Sequence, residues 1–130
     1  MAKIAIDAGH GGADPGAVYQ GRQEKDDNLK LALAVGERLQ NNGLDVYYTR
    51  TEDIYQTPYQ KAMAANESEA DFLVSLHRNS SEYPNQYTGV ETLVYDKNGE
   101  KAEIAEQIND GLENIGFRNN GVKSRPGLVI

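Results

Sequence analysis

The sequence predicts an α/β fold, a single three-layer domain with a mostly parallel, twisted sheet and helices on both faces. Three observations lead there. Short apolar runs alternate with stretches of helical periodicity along the whole chain, the pattern of strands joined by crossover helices. The 130 residues show no repeat, low-complexity segment or internal linker and suffice for one hydrophobic core. Hydrophobic residues make up 38% and charged residues 25%, as in an ordinary globular chain.

The first element is the run KIAIDA, Lys3–Ala8, a short strand ended by a glycine cluster. From about Lys25 to Asn41 the spacing is helical, with Leu29, Ala32, Leu33, Gly36 and Leu39 on one face. Asp26 and Asp27 fall in the first turn, where the helix dipole favours negative charge. Gly43 supplies the stop. LDVYYTR, Leu44–Arg50, reads as the second strand, and Thr57–Glu67 as the second helix with Pro58 in its first turn. DFLVSLH, Asp71–His77, is apolar enough for a central strand, and GVETLVY, Gly89–Tyr95, is a fourth. Glu100–Ile115 is the third helix, with Ala102, Ala105, Ile108 and Leu112 on its buried stripe and Gly116 as its stop. The closing GLVI, Gly127–Ile130, reads as a strand that has only begun, so the C-terminal strand of the sheet is expected to be missing.

Charge and composition exclude several functions. A net charge of −7 argues against a nucleic-acid binder, which needs a basic surface, and against attachment to anionic lipid. No apolar run approaches the roughly 20 residues that span a bilayer. Lys3 and the shortness of IAI argue against a secretory signal. With no cysteine, the chain has neither a disulfide framework nor a thiolate metal site. A metal would be held by His, Asp or Glu. The AGHGG stretch is a poor phosphate loop, because no Lys or Ser/Thr follows its glycines.

The chain has two histidines, and each follows a strand-like run. His10 comes after KIAIDAG and His77 closes DFLVSL. In an open parallel sheet, ligand sites gather at the carboxyl ends of the strands, so both imidazoles are expected at one edge. Glu24 stands just before the first helix, whose N-terminus belongs at that edge. Two His and one Glu form a known catalytic zinc set with a position left for water. A histidine at a strand end is ordinarily a hydrogen-bonded structural residue, and spacing does not choose Glu24 over Asp14 or Asp26. The residues by themselves give a candidate metal site.

The blocks IDAGHGGADPGAV, EKDDNLKLALAVGERL, DVYYTRTED, AANESEADFLVSLHRNSS, GVETLVY and GVKSRPGLVI follow one another over essentially the whole chain. In that order they resemble the zinc-dependent N-acetylmuramoyl-L-alanine amidases of the amidase-3 type. SLHRNSS followed by PNQYTGVETLVY is similar to clostridial and phage endolysin members in particular. The resemblance implies hydrolysis of the amide between N-acetylmuramic acid and L-alanine in bacterial peptidoglycan. It implies one zinc ion held by His10 of AGHGG, Glu24 of QEKDDNL and His77 of SLHRN. It also implies a role beside the third ligand for Asn79 and a position lining the groove for Glu91. Arg50 matches the family and reads as a structural ion-pair partner. Tyr47, Tyr48, Tyr83 and Tyr87 read as packing or surface.

The chain departs from the family at one point. The family's general-base glutamate, on a late strand, is expected after Ile130, which makes residues 1–130 an amidase-3-like catalytic domain truncated at its C-terminal end. Glu91 occupies an earlier block and does not match that position. Zinc binding with little turnover is then the expectation for these residues alone. The alternative reading is a non-catalytic, zinc-containing peptidoglycan-binding module, and a further rival is a zinc hydrolase of another specificity. Peptidoglycan is the expected partner, with no nucleic acid, no membrane insertion and a wall-binding domain beyond this chain. Action at the bacterial cell wall is expected, as an extracellular enzyme or a lysin released from the cytoplasm.

Overall fold

The structure, a computed structural model, describes residues 2–78, 89–94 and 99–125. These fall into two compact units. In the first, β1 (Lys3–Ala8) is followed by the short strands β2 (Val18–Tyr19) and β3 (Arg22–Gln23). Then come α1 (Glu24–Asn41), β4 (Asp45–Tyr48), α2 (Pro58–Glu67) and β5 (Phe72–Leu76). The second unit holds β6 (Val90–Val94), α3 (Glu100–Asn114) and β7 (Asn119–Ser124).

β1 is the central strand of a parallel sheet ordered β4-β1-β5. Ile4 lies opposite Val46 and Phe72, and Asp7 opposite Ser75. Side chains alternate across a strand, and β1 uses both faces. Ile6 and Ala8 form the buried core with Ala32 of α1, and Ile4, Leu29, Val35 and Leu39 pack against it. Asp7 points the other way and meets Lys61 of α2. Helices therefore cover both faces of this sheet, as the alternating pattern predicts.

The stripe that α1 buries is Glu24, Asn28, Ala32 and Gly36, one row at i, i+4 spacing. Leu33 was expected on that face but is 37% exposed. The small residues of the row bring the helix close to β4: a Cβ at Gly36 would collide with the Tyr48 ring. At α2, Thr57 and Gln60 form a capping box. The Gln60 backbone N–H donates to Thr57 Oγ1 at 3.1 Å, and the Thr57 N–H donates to Gln60 Oε1 at 2.8 Å. The β2–β3 hairpin was not expected. Its turn residues Gln20 and Gly21 both have positive φ, 49° and 79°, which matches a type I′ turn.

Asp7 and Lys61 are 1% and 3% exposed. Lys61 Nζ lies 2.9 Å from Asp7 Oδ1 and donates to the Ala8 and His10 carbonyls at 2.9 and 3.3 Å. Thr49 Oγ1 donates to Asp7 Oδ1 at 2.7 Å, and Ser75 Oγ donates to Oδ2 at 2.6 Å. The ion pair is thus fully hydrogen-bonded, the condition under which a buried charge is tolerated. Burial by itself would raise the Asp7 carboxyl. The Ser75, Thr49 and Lys61 hydrogen bonds, with the Lys61 charge, hold it below its ordinary value instead.

In the second unit β6 pairs parallel with β7, with a register shift between Val90 and Thr92, and α3 packs on both strands. β7 was not expected, while the anticipated strand at Gly127–Ile130 lies outside the described residues. α3 buries Ala102, Ala105 and Asn109; Ile108, expected on that stripe, is 40% exposed. Asn109 occupies the buried position because it is paired. It accepts from Thr92 Oγ1 at 2.7 Å and donates to Asn119 Oδ1 at 3.2 Å.

Two outcomes follow from the buried pair. Lys61→Met, which strands the Asp7 charge, should cost about 3–5 kcal/mol in denaturant unfolding; a cost within experimental error contradicts the account. Because the Asp7 carboxyl titrates below its unfolded value of 3.8, its contribution is complete above that value. It is lost as pH falls through the lower folded value. Acid unfolding curves should therefore fall more steeply for wild type than for Asp7→Asn, whereas parallel curves contradict the assignment.

Candidate metal centre

β1 delivers its chain to the site through three backbone carbonyls that buried polar side chains hold. Arg50, 3% exposed, donates from Nε to Ala8 O at 3.1 Å and from Nη2 to Gly9 O at 3.2 Å. Asn28 Nδ2 donates to Gly9 O at 3.1 Å, and Lys61 takes Ala8 O and His10 O. Arg50 is thereby structural, as its sequence reading has it, but among the described residues its side chain grips backbone carbonyls and forms no ion pair. Burial lowers its guanidinium from the ordinary value, and Asp7, Asp53 and Asp26 oppose that. Held this way, His10 adopts φ +65°, a left-handed conformation that a residue with a Cβ keeps only when its surroundings enforce it.

Glu24 begins α1, and the loop before the helix supplies its caps. The Glu24 and Lys25 backbone N–H groups donate to Ala17 O and Pro15 O at 2.8 and 3.0 Å. Glu24 is 3% exposed, and its carboxylate accepts three N–H bonds. Ala17 N donates to Oε1 at 3.0 Å; Asn28 Nδ2 and Arg78 N donate to Oε2 at 3.0 and 2.9 Å. Burial by itself would raise this carboxyl, but the Ala17, Asn28 and Arg78 donors and the neighbouring His10 hold it below its ordinary value. It is an anion fixed in place.

Both histidines converge on that anion. His10 Nε2 lies 3.3 Å from Glu24 Oε1, and His77 Nδ1, just beyond β5, lies 3.1 Å from Oε2. The rings meet edge to face, centroids 5.0 Å apart. One ligand-capable atom from each of His10, Glu24 and His77 falls within 4.8 Å of the others. Two imidazoles and a carboxylate so grouped fit a divalent ion such as zinc. Glycines make the space. A Cβ at Gly9 would enter the His77 ring, and one at Gly16, where φ is +67°, would lie 2.8 Å from Glu24 Oε1 and strike the His10 ring.

The structure thus gathers His10, Glu24 and His77, and it separates Glu24 from the carboxylates that spacing could not exclude. Asp14 lies against the other nitrogen of His10, its Oδ2 2.8 Å from Nδ1. Glu91 is on β6 of the second unit, 3.2 Å from Lys123 Nζ, and Asn79 lies outside the described residues. Sequence reasoning missed Asn28 and Lys61. The available signal was Asp7, a charge inside an apolar strand that requires a buried partner.

Comparison with known proteins agrees with this architecture. Over 97 residues the chain is 43% identical to the sporulation-specific N-acetylmuramoyl-L-alanine amidase of Bacillus subtilis, covering 73% of this chain and 36% of that one. It is 36% identical over 133 residues to N-acetylmuramoyl-L-alanine amidase LytC of the same organism, covering 98% of this chain and 26% of LytC. It therefore spans about a third of the first of these relatives and a quarter of the second. The crystal structure of an N-acetylmuramoyl-L-alanine amidase from Clostridium difficile 630 superposes with a TM-score of 0.90 at 32% identity, covering 98% of this chain and 72% of that one. The Amidase_3 model, described as N-acetylmuramoyl-L-alanine amidase, matches residues 4–130, and the chain belongs to that family.

Proposed function

We propose that His10, Glu24 and His77 hold one zinc ion and that the protein uses it to hydrolyse the amide between N-acetylmuramic acid and L-alanine in bacterial peptidoglycan. The observation that carries the reading is the convergence of the three side chains, with ligand-capable atoms within 4.8 Å of one another, in a chain of this family. Residues 4–130, which the family model matches, belong to the catalytic domain in this reading. The partner is peptidoglycan and the place of action the bacterial cell wall. Among the described residues no helix is long and apolar enough to cross a membrane.

The chain's own residues have distinct tasks. Zinc, when bound, polarises the amide carbonyl and acidifies a water molecule. Glu24, buried and fixed by three N–H donors, keeps its charge and position while the substrate changes. The His10 and His77 side chains are 27% and 44% exposed against 4% for Glu24, so substrate reaches the site from the histidine side. The carbonyl clamp of Lys61 and Arg50 keeps His10 in its left-handed conformation, which removes reorganisation at the moment of reaction. Asn79 and Glu91 complete the proposal as substrate-side residues, the roles that the motif match implies.

Elemental analysis should find about one zinc per wild-type chain, as in a mononuclear three-ligand site, and none retained by His10→Ala or His77→Ala. A folded wild-type chain that takes up no added zinc contradicts the proposal. Gly16→Ala, which leaves all three ligands in the sequence, should weaken zinc binding at least about tenfold by displacing His10 and Glu24. Unaltered affinity would mean that the cradle is less tightly packed than argued.

A further inference from the structure

We propose that Asp14 is a positioning residue for this centre: its carboxylate holds His10 in the Nδ1–H tautomer and turns the Nε2 lone pair toward Glu24. The role rests on the metal reading given above. His10 lies between two carboxylates, with Asp14 Oδ2 2.8 Å from Nδ1 and Glu24 Oε1 3.3 Å from Nε2. A neutral imidazole has a single N–H, and the shorter contact claims it. Glu24 Oε1 already accepts from Ala17 N at 3.0 Å, so it competes less for that proton.

Asp14 is itself built into place. Gly11 and Asp14 exchange backbone hydrogen bonds of 2.9 and 3.0 Å, closing a tight loop that brings residues 10 and 14 face to face without a helix. Gly16 N donates to Asp14 Oδ1 at 3.1 Å, which leaves Oδ2 for the imidazole. Pro15 follows directly and disfavours the helical region for Asp14. A carboxylate on the far nitrogen of a metal-binding histidine fixes the ring's orientation and raises its basicity, an effect worth about 10–100-fold in metal affinity.

Asp14→Ala removes the acceptor, whereas Asp14→Asn keeps an amide oxygen that can still receive the Nδ1 proton. The Asp14 side chain is 42% exposed, so neither change opens a cavity in the core. In the metal-free chain, under alkaline conditions where the imidazoles are neutral, imidazole nitrogen chemical shifts should report the Nδ1–H form of His10 in wild type and Asp14→Asn. They should move toward the Nε2–H form in Asp14→Ala. Zinc affinity, measured by competition with a chromophoric chelator, should fall about 10–100-fold in Asp14→Ala and less in Asp14→Asn, with both metal-free variants still folded by circular dichroism. The same tautomer in wild type and Asp14→Ala, or equal zinc affinity, overturns the proposal. A wild-type chain that binds no zinc overturns the metal centre and this role with it, whatever the ring shows.

Discussion

A buried ion pair, Asp7 of β1 with Lys61 of α2, is the constraint around which the first unit is arranged. It joins the central strand to the helix on one face of the sheet, and the hydroxyls of Thr49 and Ser75 connect it to the segments on either side of β1. A buried pair of this kind is weak evidence for stability, because removing two charges from water costs much of what their attraction returns. What it contributes is position. Lys61 has three donors, and besides Asp7 two of them meet the Ala8 and His10 carbonyls, so the ammonium fixes where β1 ends and how the chain leaves it.

That exit determines the site. A histidine at φ +65° is unfavourable by itself, and it persists because Lys61, Arg50 and Asn28 hold the carbonyls of three successive residues. From the opposite side, the capped start of α1 presents Glu24, and the end of β5 presents His77. Three separate stretches of chain thereby meet at the carboxyl edge of a parallel sheet, where open α/β sheets ordinarily place ligands. The glycines between them matter as space: at Gly9 and Gly16 any side chain would occupy the volume of the histidine rings.

Much of this was legible in the sequence, for physical reasons that differ from element to element. β1, β4 and β5 stand out as apolar runs bounded by turn residues, and the three helices by their period. The stripes were less accurate. Leu33 and Ile108 fit an apolar face by spacing, yet Glu24, Asn28 and Asn109 hold the buried positions because each is hydrogen-bonded there. A pattern counted on hydrophobicity misses satisfied polar groups. The β2–β3 hairpin and β7 escaped for a related reason: VY, RQ and NNGVKS carry almost no apolar alternation. Of the proposed ligands, the two histidines are legible from their place after strands, while only the family resemblance distinguishes Glu24 from Asp14 and Asp26. The geometry separates the roles, with Glu24 between both rings and Asp14 behind one of them.

The most direct test of the account is X-ray absorption at the zinc edge of the zinc-loaded chain. A centre built from His10, Glu24 and His77 predicts a first shell with Zn–N distances of about 2.0–2.1 Å and Zn–O distances of about 2.0–2.2 Å, with outer-shell scattering from two imidazole rings. A first shell of oxygen alone, or scattering from fewer than two imidazoles, would contradict it and return the histidines to a structural role.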